Sequence, residues 1–411
     1  MKILRHFPIL LLSMLISCLP AACGEVGQEE DGPNDFQPIV LTKSQQEVAA
    51  RGNDFAVALF KAGYQAGKGE NLFLSPMSVS MLCCMLANGA EGETYTEIVN
   101  TLGLKGFTID QVNDYYETMV DALLKADNTV SFSLANSIWA AKDLSVKKSF
   151  KNAMNDIYDA DTYSVDFSAP STLKQINGWC STKTSGLVPK MFEELSAQTR
   201  MMLINALYFK GSWVTQFPKD QTAKDDFTTL SGAKAKTEFM QLTADLAGYQ
   251  DESVSLVRMP YGNGAFLMEA IVPAGDFSTF VAGLDREKLA KWEVPTHSRV
   301  DLRFPKFKAE YDTDEQLIPM MESLGMKRAF SSFVAEFGKM SDEPLYVSKM
   351  RQKTCVIVNE EGTEAAAVTV ADMRKNGAGP ATAVMRFDRP FLYLIRESST
   401  GAILFIGAKV K

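Results

Sequence analysis

The chain has 411 residues, 46% hydrophobic and 22% charged, with a formal net charge of −8 and a pI near 5.1. This is an ordinary globular composition without low-complexity tracts or internal repeats, long enough for one large domain or two medium ones. No basic block is present to neutralise phosphates, which argues against a nucleic-acid or anionic-membrane surface. The longest basic patch, Lys147 and Lys148 with Lys151, reads as a solvated helix face.

Residues 1–22 read as a secretory signal. Lys2 and Arg5 precede the apolar run Phe7–Ile16, which is too short for a membrane span and suits export. The sequences Leu15-Ile16-Ser17-Cys18 and Pro20-Ala21-Ala22-Cys23 both have the small and aliphatic pattern of a bacterial lipoprotein box. Lipidation is therefore expected at Cys18 or Cys23, with ordinary cleavage after Ala22 as the alternative. The resulting expectation is an exported bacterial lipoprotein at the outer membrane or cell surface, or a periplasmic or extracellular product. Residues 23–42 are acidic, Gly-bearing and aperiodic, as in a flexible tether, so the folded part is expected over 43–411.

The folded part opens with helices. SQQEVAARGNDFAVALFKAG has helical apolar spacing behind a Ser44 cap, and PMSVSMLCCMLANGA begins with a Pro suited to a first turn. The second is apolar nearly all round, as in a central buried helix. TYTEIVNTLG, IDQVNDYYETMVDALLKA and TLKQINGWCSTKTSGLVPKMFEEL follow as helices. Strand patterns then dominate: SFSLANSIWAA, RMMLINALYFKGSW, SVSLVRMPYG, AFLMEAIVP, VDLRFPKFKAEY, KTCVIVNE, FLYLIRES and AILFIGAKV, with a helix at PMMESLGM. The order predicts one α+β domain with several antiparallel strands and no βαβ alternation.

Side-chain chemistry excludes several enzyme classes. Beyond the leader, the cysteines are Cys83, Cys84, Cys180 and Cys355, without CxxC or Cys/His spacing; buried free thiols are expected. The chain has two histidines, His6 in the leader and His297. A Ser-His-Asp or Cys-His set would have to use His297, which lies in a Pro-Thr-His-Ser turn, and a zinc site with several His ligands is excluded. The chain reads as a non-enzyme without a metal or cofactor.

Four blocks carry a family resemblance: NLFLSPMSVSMLCCMLANGAEGETYTEI, LINALYFKGSWVTQF, VNEEGTEAAAVT and RPFLYLIRESSTGAILFIGAKV. In this order and at these separations the chain resembles the serpins over about 43–411. The resemblance implies three β-sheets, about nine helices and an exposed reactive-centre loop between Glu360 and Phe387. It also implies an inhibitor of serine, or also cysteine, endopeptidases that acts as a suicide substrate, its cut loop inserting into the main sheet and trapping the acyl-enzyme. The partners are then the target protease, held covalently, and a membrane through the lipid anchor, with no nucleic acid and a monomeric inhibitor. A non-inhibitory member serving as carrier, binding module or chaperone is the alternative.

Carried over position by position, the hinge is Glu360, Glu361, Gly362, Thr363, Glu364, Ala365, Ala366 and Ala367. The family's spacing from Glu360 puts the reactive bond at Asn376–Gly377, with Met373, Arg374 and Lys375 as alternatives. Ser75, Ser78 and Asn205 match residues that hold the centre of the main sheet, and Trp213 and Glu360 match the place where insertion begins. Gln352 stands where the family usually has His; an amide donates and accepts like a neutral imidazole but does not titrate. Independently of the family, alternation from Thr363 puts Ala365, Ala367, Thr369, Ala371 and Met373 on one uncharged face. Glu364 and Asp372 fall on the other face. That sorting suits a strand sliding between two others over a packed core.

Overall fold

The computed structural model describes residues 34–67, 69–296, 299–363 and 383–411. The expected signal, Cys18, Cys23 and His297 lie outside the described residues, as do 364–382. Among the described residues there are nine α-helices: α1 Lys43–Ala66, α2 Pro76–Gly89, α3 Gly92–Thr101, α4 Ile109–Lys125, α5 Lys148–Tyr158, α6 Pro170–Lys183, α7 Phe277–Ala282, α8 Arg286–Lys291 and α9 Leu317–Ser323. The first eight strands are β1 Leu72–Leu74, β2 Ser131–Ala141, β3 Ala160–Val165, β4 Met201–Ser212, β5 Ala223–Thr228, β6 Lys234–Ala244, β7 Gly248–Gln250 and β8 Val254–Tyr261. The remainder are β9 Phe266–Pro273, β10 Val300–Pro305, β11 Phe307–Asp312, β12 Lys353–Val358, β13 Gly362–Thr363, β14 Ala383–Arg386, β15 Phe391–Glu397 and β16 Ile403–Lys409.

These strands make three sheets. The main sheet has the order β11-β12-β13-β4-β2-β3. A second runs β1-β16-β15-β9-β8-β7, and a four-stranded sheet runs β14-β10-β6-β5. Every residue of β15 and β16 is buried, which explains their unbroken apolar runs. The core lies between the main and second sheets: Phe209 meets Tyr261 and Phe266 edge to face, at 4.9 and 5.5 Å between ring centroids. Such contacts add to simple burial. Helix α2 is buried over most of its length, as its all-round apolarity predicts. No helix among the described residues is long and apolar enough to cross a membrane.

Four sequence expectations need correction. Helix α1 is capped by Thr42, not Ser44, in a reciprocal capping box with Gln45. The segment expected to stay helical to Leu195 leaves the helix at Lys183, where Ser185 and Gly186 adopt φ of 50° and 84°; the Gly186 N–H closes the end onto the Ser181 carbonyl. VDLRFPKFKAEY is two strands in two sheets: β10 pairs with β6, β11 pairs with β12, and Lys306 is the corner between them. Finally, β2–α5–β3 is a parallel βαβ unit, so that motif is present once among the described residues.

The stretch read as a tether is fixed at its C-terminal end. Asn34 and Asn128 each donate a backbone N–H to the other's side-chain oxygen, both at 3.0 Å. Ile39 N–H donates to Ser399 Oγ at 2.8 Å, and Leu41 is buried. Cys83, Cys84 and Cys180 are buried free thiols, whereas Cys355 is half-buried. Burial pushes Cys84 and Cys180 up to about 12, which leaves them protonated and unreactive at neutral pH.

Candidate functional site: the gap between strands β4 and β12

Strands β4 and β12 run alongside each other but, among the described residues, no ladder pair joins them; β13 alone stands between. Chain reversal at Val358–Thr363 places it there. Asn359 organises the turn: its N–H donates to the Gly362 carbonyl at 3.0 Å. Its side-chain oxygen accepts from the N–H groups of Glu361 at 2.9 Å and Gly362 at 3.1 Å. Thr363 then pairs with Val358 on one side and Gly211 on the other. A Cβ on Gly362 would lie 2.1 Å from the Gly211 carbonyl oxygen, so only glycine permits this approach of two backbones.

Thr363 is buried, and its hydroxyl lies 2.5 Å from that of Tyr261. Its side chain therefore points into the core between the sheets, as the face assignment from sequence requires. Trp213 braces the same turn. Its backbone N–H donates to Glu361 O at 2.8 Å, its indole N–H donates to Asn359 O at 2.9 Å, and its ring stacks on Tyr261 at 4.4 Å. Glu360 accepts from the Thr222 hydroxyl at 2.7 Å and pairs with Lys306 at 3.1 Å; Glu361 pairs with Lys219. Burial pushes the Glu360 carboxyl up, but the Thr222 hydrogen bond and the Lys306 ammonium outweigh it and hold the group below the ordinary carboxylate value.

Farther along the gap lies an open cavity of about 380 Å³, lined by Met201–Asn205 of β4 and by Tyr346–Gln352 ahead of β12. Beneath it the expected polar residues meet at the start of α2. Gln352 accepts from Ser75 N–H and donates to Ser75 O, both at 2.9 Å, so one amide satisfies both backbone groups. Ser75 caps α2 by accepting from Ser78 N–H. The Ser78 hydroxyl donates to Asn205, whose amide donates to Asn136 at 2.7 Å, and Asn136 donates to Tyr158 O at 2.7 Å. One helix N-terminus thus ties the β12 side of the gap to the β4 and β2 side.

The structure therefore brings together Ser75, Ser78, Asn205 and Gln352 in one cluster, and Trp213, Glu360, Glu361, Gly362 and Thr363 in another. Glu364, Ala365, Ala366, Ala367, Met373, Arg374, Lys375, Asn376 and Gly377 lie outside the described residues. Sequence reasoning missed Asn136, Tyr261, Thr222 and Lys306. Asn136 carried a signal, an amide in the middle of an apolar strand that burial obliges to find partners. The other three contact the turn only through tertiary folding.

These features, a three-sheet α+β fold with a gap in its main sheet and a Gly-Thr pair seated at one end, define the class. A family model described as Serpin (serine protease inhibitor) matches residues 50–411, and the chain belongs to that family. Iripin-2 of Ixodes ricinus is 31% identical over 383 residues, covering 90% of this chain and 95% of that protein. The native structure of the thermophilic serpin tengpin matches with a TM-score of 0.81 at 30% identity, covering 93% and 97% of the two chains. Thyroxine-binding globulin in complex with thyroxine matches with a TM-score of 0.80 at 27% identity, covering 89% and 99%.

Proposed function

We propose that this serpin inhibits serine endopeptidases, and cysteine endopeptidases as a second class, as a suicide substrate. The target's nucleophile attacks the carbonyl of the bond Asn376–Gly377, or of one within Met373–Lys375. The amine of the next residue leaves, and an acyl-enzyme remains. The freed segment then inserts between β4 and β12 before water hydrolyses the ester, or the thioester of a cysteine enzyme. Insertion from Thr363 to Asn376 moves the tethered protease about 43 Å at roughly 3.3 Å per residue. Deformation of its active site stalls deacylation. The inhibitor contributes stored conformational energy and turns over nothing, so it is not an enzyme and needs no cofactor.

The observation that carries this reading is the seating of Thr363. It stands as the first pair of a strand with β12 on one side and β4 on the other, in line with the cavity lined by Met201–Asn205 and Tyr346–Gln352. Continuing the same register sets Thr369 opposite Asn205 on β4 and opposite Gln352 beside β12. The inserted strand would thus cross directly over the polar cluster at the start of α2. Ala365, Ala367, Thr369 and Ala371 would share Thr363's inward face, while Glu364 and Asp372 point to solvent. In this reading Ser75, Ser78, Asn205 and Gln352 control opening, and Trp213 with Glu360 holds the starting point.

Incubation with a panel of active serine and cysteine proteases tests the function: covalent complexes resisting denaturation are expected with at least one, at one to one stoichiometry. Loop cleavage by every protease without any complex would refute inhibition and favour a carrier role, the reading that the likeness to thyroxine-binding globulin supports. For location, we propose export and lipid anchoring at Cys18 or Cys23. Replacing both by Ala should move the protein from the membrane to the soluble fraction, since acyl chains would be its sole anchor.

A further inference from the structure

The far end of the gap is closed by the chain itself. Residues 340–341 meet the loop that follows β2. Lys147 N–H donates to Met340 O at 2.8 Å, Val146 and Ser341 form an isolated antiparallel bridge, and the Ser341 hydroxyl donates to Ser145 O at 2.9 Å. A few residues later Tyr346–Gln352 line the cavity ahead of β12. In a sheet ordered β12-β13-β4-β2, residues 341–346 must therefore pass the start of β4 on their way to β12. They form the floor of the gap.

Arg200, the residue before β4, holds this crossing. Its carbonyl accepts from Ala141 N–H at 2.9 Å, which fixes it to the end of β2. Its guanidinium then takes two carboxylates at once. Nη1 donates to Asp143 at 2.8 Å, while Nε and Nη2 donate to Glu343 at 3.2 and 2.9 Å. Only a planar fork can make all three bonds, and a lysine ammonium in its place cannot. An isolated exposed pair is worth little, but a bidentate pair within a network is the exception. Arg200, Asp143 and Glu343 side chains are 33%, 78% and 44% exposed, so salt screens their attraction. Lys147 also pairs with Asp342 at 2.7 Å, but that pair ties the floor to the loop after β2 and not to β4.

Admitting a strand requires β4 and the segment leading into β12 to part, and the Arg200–Glu343 pair joins one to the other. Continued from the Thr363–Gly211 pair, the register sets the eleventh residue beyond Thr363 opposite Arg200. We propose that Arg200 is a positioning residue for insertion: its clasp on Glu343 holds the far half of the gap shut and sets how fast a strand can seat there. That rate competes with hydrolysis of the acyl-enzyme, so the clasp divides the outcome between trapping and release and makes it dependent on ionic strength. This inference rests on the insertion reading and adds a control to it.

The test uses the intact full chain and a synthetic peptide with the sequence of residues 364–373, amidated at its C-terminus and carrying a fluorophore at its N-terminus. The peptide has no cationic side chain, and the continued register ends it opposite Met201, one residue short of the clasp. Fluorescence anisotropy gives its rate of stable association. For the parent this rate should rise about threefold between low salt and about 0.5 M NaCl. Glu343→Gln should take up the peptide about threefold faster than the parent at low salt and show no salt response. Arg200→Lys should fall between them, and unfolding temperatures confirm that both variants fold. Equal rates in all three proteins, or a salt response in Glu343→Gln equal to the parent's, overturn the clasp and leave insertion standing. A peptide that associates with none of the three overturns the insertion reading and the clasp's role with it.

Discussion

At Gly362 a Cβ would meet the Gly211 carbonyl oxygen at 2.1 Å and the Ser212 Cα at 2.7 Å, both backbone atoms that cannot swing aside. Gly362→Ala should therefore lift the two-residue strand out of the sheet, seen as a red-shifted Trp213 emission and faster proteolysis at Glu361. Unchanged emission and proteolysis would mean the seating is not required. Thr363→Arg meets the same place by charge: the side chain is 1% exposed, and an unpaired guanidinium there costs roughly 3–5 kcal/mol. Because Thr363 is already buried in the uncut chain, this variant should lower the unfolding temperature before any protease acts. Parental complex formation by Thr363→Arg would refute insertion. Glu360 adds a pH dependence. Its carboxyl is held low in the folded chain, so its stabilising contribution is full above the unfolded value of about 4.3 and is lost as pH falls through the folded value. Acid titration of Trp213 emission should follow this, and Glu360→Gln should flatten it. At this scale the sequence made Gly362, Thr363 and Glu360 legible through the resemblance. Lys306 and Thr222 were invisible because nothing local marks a residue whose partner lies on another sheet.

Helix α2 works as an element because the polar side chains at its start bond across the gap while most of its length is apolar and buried. The Ser75 backbone reaches Gln352 on one side and the Ser78 hydroxyl reaches Asn205 on the other. The Gln352 amide needs both its donor and its acceptor. An imidazole keeps an acceptor only while neutral, so Gln352→His should hold Ser75 N–H at high pH and lose it on protonation. The folded-state value of that His would fall below the unfolded value of about 6.5, and stability should drop as pH falls through this range. The parent should show no such step, and equal pH profiles would dismiss the clasp. Asn136→Ala should cost about 1–3 kcal/mol in urea unfolding, since it strands the Asn205 amide and the Tyr158 carbonyl in a buried site. Long periodic helices and apolar strands were readable at this scale. The break at Pro305–Lys306 was not, because one continuous β-prone run serves two sheets and only long-range pairing divides it. Helix α6 was overextended for a comparable reason: Leu187–Leu195 keeps apolar spacing that packs on the core without helical geometry.

For the whole molecule, the α+β class and the three-sheet plan followed from motif order, whereas the gap in the main sheet depends on a register that no single segment encodes. That gap leads to the final prediction. A verified single cut between Met373 and Gly377 by a protease that is not trapped should free the loop to continue the strand begun at Gly362–Thr363. Roughly ten inserted residues would add ladder bonds on both edges, each contributing about 0.5–1.5 kcal/mol net. The uncharged face would bury Ala365, Ala367, Thr369 and Ala371, at about 25 cal/mol for each Å² of apolar surface removed from water. Together these amount to on the order of 10 kcal/mol, and at roughly 2 °C per kcal/mol for a large domain the cut form should melt about 20 °C higher. A nick in an ordinary surface loop does the opposite. Thr369→Val should keep the burial but lose the hydroxyl over Asn205 and Gln352, giving a rise a few degrees smaller. A melting temperature that stays or falls after cleavage would leave the fold intact and remove the inhibitory mechanism, because a chain without a more stable inserted state has no stored energy with which to distort a protease.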